Sequence, residues 1–258
     1  MAFASVFTPQ KETGALSASY LDFYHKYKGK IVDSIVKPLF LLADSQLLFW
    51  RRGGAPFLNS VRDVIDVSSP KAAYIGASNA DDPEYYSIFE AAMEMIGIHR
   101  CRMAPSSPTD EDFSFLNDAD IILLAGGDAV RGWRVFEETG LRELIEDRYW
   151  NGAVLIGVSA GAMQIGLYAW PEGAQSEDLL IRTFGLVPFI VSVHDEKNEW
   201  QDIRRVLNMT KSGFPAIGIP SGGGLIYHPD RSIEPTHKTL YEFVLENEHI
   251  KVNILEAS

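Results

Sequence analysis

The chain has 258 residues, 46% hydrophobic and 22% charged, with one cysteine. That length makes one large domain or two small ones and buries a sizeable core without covalent staples. The lone Cys101 excludes an intrachain disulfide framework and any multi-cysteine zinc or iron–sulfur site. Asp plus Glu number 35 against 23 Lys plus Arg, a net charge of −12. This argues against a duplex-binding surface, because phosphate contacts need clustered cations.

No apolar run approaches the ~20 residues that span a bilayer. The opening MAFASVFTPQKETG lacks a basic segment leading into an apolar one, so no secretory signal is read. The expectation is a soluble cytoplasmic protein that engages neither nucleic acid nor membrane. Residues 1–35 read as an N-terminal extension, and YLDFYHKYKGKIVDSIV within it has an amphipathic helical pattern. The aromatics at 20–27 fit either a contact surface, such as that of a homodimer, or a helix packed on its own core. Residues 36–258 read as a single α/β domain.

From there the pattern alternates. PLFLLA (38–43) is an apolar run, and PFLNSVRDVID (56–66) has helical spacing. AAYIGAS (72–78) is a second run. DDPEYYSIFEAAMEMIG (81–97) carries Pro and acidic residues at its start and Gly at its end, which are helix start and stop signals. DADIILLAGGD (118–128) is a third run, and 133–150 reads as a helix. AVLIGVSAG (153–161) is a fourth run, PAIGIP (215–220) is a later one, and 239–255 alternates like antiparallel edge strands. Continuous apolar strands between amphipathic helices indicate a mainly parallel sheet covered on both faces. Sites in such sheets lie beyond the carboxyl ends of the strands.

The sharpest motif there is Gly157-Val158-Ser159-Ala160-Gly161, between an apolar run and a segment able to start a helix. That is the setting of a nucleophile elbow: small neighbours let the serine occupy a strained, exposed turn. The amide of Ala160 then points where the serine oxygen does, as one oxyanion donor. The plainer reading is a Gly-rich turn. Ala125-Gly126-Gly127-Asp128 follows IILL; it reads either as a tight turn with Asp128 capping the next helix or, beside the elbow, as a loop in which Gly127 supplies a second oxyanion donor.

A serine nucleophile needs a base. His194 ends the apolar stretch LVPFIVSV and would emerge on the rim with the elbow; His228, after GGGLIY, is the alternative. The base in turn needs a carboxylate. Glu172, Glu177 and Asp178 precede His194, and Asp195, Glu196 and Glu199 follow it; spacing does not choose among them.

GVSAGA, an upstream strand ending in AGGD, and a histidine roughly 35 residues past the serine together resemble peptidase family S51. YIGASN, GGDAVRGWRVFEETGL and FGLVPFIVSVH agree with it, over about residues 70–230. The resemblance implies a flavodoxin-like three-layer α/β sandwich related to class I glutamine amidotransferase domains. It implies a serine peptidase acting on a small peptide, with no metal and no cofactor. Ser159 matches the nucleophile, His194 the base, and Gly127 and Ala160 the oxyanion amides. Counting back from His194, Glu172 falls near the acid of the dipeptidase branch. Two departures stand out. Gly218-Ile219-Pro220-Ser221 lies where the cyanophycinase branch has a GIDE-like segment, so that glutamate is absent. DEKNEWQDIRR replaces the region where the dipeptidase branch carries an arginine for an acidic N-terminal residue. An esterase of the α/β-hydrolase type, with His228 or His237 as late base, and a non-catalytic binding protein on the same fold are the rival readings. An amidotransferase is excluded, because the elbow carries Ser and Cys101 lies in no such turn.

Overall fold

The computed structural model describes residues 36–257 apart from 172 and 212. The extension at 1–35, and with it nearly all of the amphipathic segment read there, lies outside the described residues. The strands are β1 (Leu39–Leu42), β2 (Arg51–Arg52), β3 (Ala55–Pro56), β4 (Lys71–Ile75), β5 (Arg100–Ala104), β6 (Ile121–Leu124), β7 (Val154–Val158), β8 (Tyr168–Ala169), β9 (Ile181–Arg182), β10 (Ile190–Val193), β11 (Ala216–Ile219), β12 (Gly224–Tyr227), β13 (Ile233–Thr236), β14 (Leu240–Glu246) and β15 (His249–Leu255). The helices are α1 (Asn59–Arg62), α2 (Pro83–Glu94), α3 (Asp110–Asn117), α4 (Ala129–Thr139), α5 (Leu141–Trp150), α6 (Ala160–Ile165) and α7 (Gln201–Thr210).

Seven strands form the central sheet in the order β13-β12-β1-β7-β6-β4-β5. The pairs β1–β7, β7–β6, β6–β4 and β4–β5 are parallel, whereas β12 and β13 run antiparallel at one edge. Counted from β4, the order β5-β4-β6-β7 is the 2-1-3-4 winding of flavodoxin-like sheets, and the N-terminal β1 takes the fifth place. The interior strands β1, β6 and β7 are buried along their whole length. This is the physical content of their unbroken apolar runs: both faces are covered, so neither face needs polar residues. One face packs Phe89, Ala92 and Met93 of α2 against Phe40, Tyr74 and Ile156. The other packs Trp133 and Phe136 of α4, Leu141 and Ile145 of α5, and Ala162 and Ile165 of α6. The mainly parallel three-layer α/β fold is therefore as expected.

Three local expectations change. The helix read over 133–150 is two helices, because Gly140 between α4 and α5 adopts a left-handed conformation at φ 82° that glycine tolerates best. The helical spacing at 56–66 yields only the single turn α1, and the Arg62 guanidinium binds the Ile65 carbonyl at 2.9 Å just beyond it. PAIGIP forms β11, but in a second sheet of order β10-β11-β14-β15. That sheet meets the first across α6, which contacts β7 on one side and β10 on the other. Val191, Val193, Ile217 and Ile219 of the second sheet join the same hydrophobic cluster as Leu39, Leu124 and Leu155 of the first. The alternating segment 239–255 is the antiparallel hairpin of β14 and β15. Missed in the sequence was β5, whose RCRMA is no apolar run: it is a sheet edge, paired with β4 alone.

Candidate active site

Strand β7 delivers Ser159 to the carboxyl edge of the central sheet. The turn into α6 is sharp: Ser159 sits at φ 50°, ψ −108°, a backbone conformation that costs of order 1–3 kcal/mol and persists only where its surroundings enforce it. The Ser159 amide donates to the Leu42 carbonyl at 2.8 Å, which ties the turn to β1. The flanking glycines are required by close approach. A Cβ on Gly157 would lie 2.5 Å from the Gly161 backbone, and one on Gly161 would lie 2.3 Å from the Leu124 carbonyl oxygen. The small residues of the motif thus let α6 start immediately above β6 and β7.

The loop after β6 lies beside this turn. A Cβ on Gly126 would come 3.3 Å from the Cβ of Ser159. Gly127 adopts φ 126°, and its Cβ would collide with the Ser78 carbonyl at 2.3 Å. That carbonyl also accepts from the Asp128 amide at 2.8 Å and from Arg131 Nη2 at 2.7 Å. Asp128 caps α4 by accepting from the amides of Val130 and Arg131, both at 2.9 Å. The segment is thus a turn capped by Asp128 and pressed against the serine. Neither the Gly127 nor the Ala160 amide has an acceptor among the described residues. Ser78 anchors this loop and went unrecognised as a candidate; its only sequence signal was YIGASN at the end of β4.

His194 follows β10 directly. Its backbone turns to φ 44°, and its amide donates to the Ile219 carbonyl of β11 at 2.9 Å. Its Nε2 lies 2.9 Å from Ser159 Oγ, so two residues 35 positions apart meet across α6. His228 is elsewhere. Strand β12 runs antiparallel to β1, pairing Tyr227 with Leu39 and Gly224 with Leu42. His228 thus leaves the sheet at the end opposite Ser159, where it binds Glu234 at 3.0 Å. His237 engages the Gly222 carbonyl at 2.8 Å, and its ring packs at a tilt against Trp50, 4.8 Å between centroids. Cys101 is half-buried, and desolvation pushes its thiol up to about 11, far from an activated nucleophile.

Glu172 lies outside the described residues. Glu177 and Asp178 are exposed on a turn packed against α7. Asp195 accepts from Asn198 Nδ2 and from the Asp202 amide. Glu199 is exposed. Glu196 differs: its Oε1 accepts from the Ser221 amide at 3.2 Å, and its Oε2 is shielded from solvent without a hydrogen-bond donor. Burial pushes the Glu196 carboxyl up, but hydrogen bonds from Ser221 and the nearby His194 outweigh it and bring it below the usual carboxylate range. The arginines of α7 are both engaged. Arg205 binds Asp202 and the Ala174 carbonyl, and Arg204 binds the Glu199 carbonyl and lies over the Phe243 ring. Gly126 and Val158 also border a small, apolar pocket lined by Leu48, Tyr74, Ile88 and Phe89.

The family model for peptidase family S51 matches residues 52–234. The chain belongs to peptidase family S51. This S51 peptidase is 23% identical over 202 residues to a protein named Peptidase E from Streptomyces coelicolor, covering 70% of this chain and 78% of that one. It is 25% identical over 95 residues to an uncharacterized peptidase of Bacillus subtilis, covering 36% and 41% of the two chains. Its fold is similar to the crystal structure of a peptidase from an acI-B1 Actinobacterium, with a TM-score of 0.65 at 17% identity, covering 87% of this chain and 98% of that one. It is also similar to that of a putative Peptidase E protein from Listeria monocytogenes, with a TM-score of 0.55 at 16% identity over 86% and 99%. Among the described residues, no helix of the S51 peptidase is long and apolar enough to cross a membrane.

Proposed function

We propose that this S51 peptidase is a serine hydrolase that cleaves short or unusual peptides through Ser159 and His194. The observation that carries the reading is the 2.9 Å approach of His194 Nε2 to Ser159 Oγ at a strained strand-to-helix turn. A base within hydrogen-bond reach of a serine is the geometry that nucleophilic catalysis needs. Ser159 Oγ attacks the amide carbonyl as His194 Nε2 takes its proton. The amides of Gly127 and Ala160 hold the oxyanion that forms. His194 then returns the proton to the leaving amine, and water, deprotonated by the same imidazole, releases the acyl group.

The substrate side is argued from charge. With Arg204 and Arg205 both held by hydrogen bonds within the chain, α7 offers no uncommitted arginine to pair with an acidic N-terminal residue. Asp195, Glu196 and Glu199 line the turn after His194, which suits a basic peptide better than an acidic one.

A fluorophosphonate probe tests the reading, because an activated serine displaces its fluoride. Wild type is expected to label, Ser159→Ala not at all, and His194→Ala about 10²–10⁴-fold more slowly, with all three equally folded by circular dichroism. A folded wild type that does not label overturns the serine peptidase reading and favours a binding protein on the same fold.

A further inference from the structure

We infer that Glu196 is the carboxylate that positions the His194 imidazole. The inference rests on the Ser159–His194 reading above and adds the third group. A histidine acting as base at Nε2 must carry its proton on Nδ1, and that tautomer is held by an acceptor for Nδ1–H. His194 Nε2 faces Ser159 Oγ, and the described residues place no acceptor within hydrogen-bond distance of Nδ1. The strand beside β10 brings no acid to this spot, since β11 runs into Ile219-Pro220-Ser221.

Glu196 stands two residues beyond His194 on the same turn, and Ser221 clamps one of its oxygens. The other oxygen is closed off from solvent and has no donor. A shielded carboxylate oxygen without a donor is unfavourable, so the arrangement is complete only when a donor reaches it. The carboxyl is ionised at neutral pH and interacts electrostatically with His194. The neighbouring charged groups are committed elsewhere. Asp195 holds Asn198 and the start of α7, Asp202 pairs with Arg205, and Asp44 accepts from the Gly222 amide. Lys197 and Glu199 of the same turn are exposed. As Ser159 attacks, its proton goes to Nε2. The imidazolium then offers Nδ1–H to Glu196, which stays ionised throughout; the carboxylate, not in hydrogen-bond contact with the ring before reaction, closes on it as the charge appears. Catalytic hydrogen bonds are often long in the unliganded enzyme and tighten during reaction.

The test is the tautomer of the His194 ring, read by NMR in the full chain and run beside fluorophosphonate labelling. Neutral wild-type His194 should carry its proton on Nδ1, and Glu196→Gln should lose that preference and slow labelling at least about 10-fold. Glu196→Asp should recover part of both, and Glu199→Gln should change neither. An unchanged tautomer in folded Glu196→Gln overturns the inference. If that variant does not fold, finding the neutral wild-type proton on Nε2 overturns it equally. An Nδ1 proton that depends on Glu196, in a protein that never labels, upholds the Glu196–His194 pair and removes the peptidase reading instead.

Discussion

The close approach of α6 to β6 makes Gly161→Ala a sensitive probe of how the elbow is held. The added Cβ would lie 2.3 Å from the Leu124 carbonyl oxygen and 2.7 Å from the Leu124 Cβ. Ordinary contact begins near 3.4 Å, so α6 must retreat about 1 Å. The obstacle is backbone in a fully buried strand and cannot rotate away. Overpacking of this kind costs about 1–3 kcal/mol, a fall in Tm of roughly 2–10 °C for a chain of this size. Function should suffer more than stability. Ser159 is the residue from which α6 starts, so the retreat stretches the 2.9 Å contact with His194, and a 1 Å misplacement of a reacting group costs about 10²-fold in rate. Thermal unfolding by circular dichroism and the rate of fluorophosphonate labelling measure the two effects. A Gly161→Ala protein with wild-type Tm and wild-type labelling would refute the argument that this packing sets the serine's position.

Two further predictions address other parts of the fold. His228→Ala should leave labelling of Ser159 unchanged, because His228 lies at the opposite end of the sheet and serves Glu234; lost labelling in that variant would revive the esterase reading. Asp112, nearly buried, forms a capping box with Thr109 at the start of α3 and accepts from Arg102 Nε at 2.7 Å. Burial raises its carboxyl, but the Thr109 and Arg102 hydrogen bonds prevail and hold it below the usual range. Asp112→Ala should cost about 1 kcal/mol near neutral pH. A folded-state pKa below the unfolded value near 3.9 means that this stabilisation is present above about pH 4 and is lost as pH falls through the folded value. The Tm gap between wild type and variant should therefore narrow as pH falls below about 4, and a gap that stays constant there would contradict the assignment.

The parts of this protein written in the sequence are those set by short-range chemistry. The interior strands announce themselves because burial on both faces leaves only apolar residues, and α2 does so through Asp82 and Pro83 at its first turn. The elbow is legible because its constraint is local: Gly157 and Gly161 must be small for Ser159 to stand between strand and helix. The edge strand β5 was hidden for the converse reason, since pairing on one side leaves room for charge. Residue order suggested His194 over His228; the direction of β12 carries His228 to the far end of the sheet from Ser159, and strand direction is a property of the sheet rather than of any segment. The same holds for β11, whose apolar run suits either sheet until the packing of α6 places it beside β10. Six carboxylates near His194 in sequence are chemically alike; what separates Glu196 is a solvent-shielded oxygen beside Ser221. Periodicity and motifs determined most of the elements and set Ser159 at a strand-to-helix turn. Only the tertiary structure determined which distant side chains meet it, because those contacts depend on how two sheets close around one short helix.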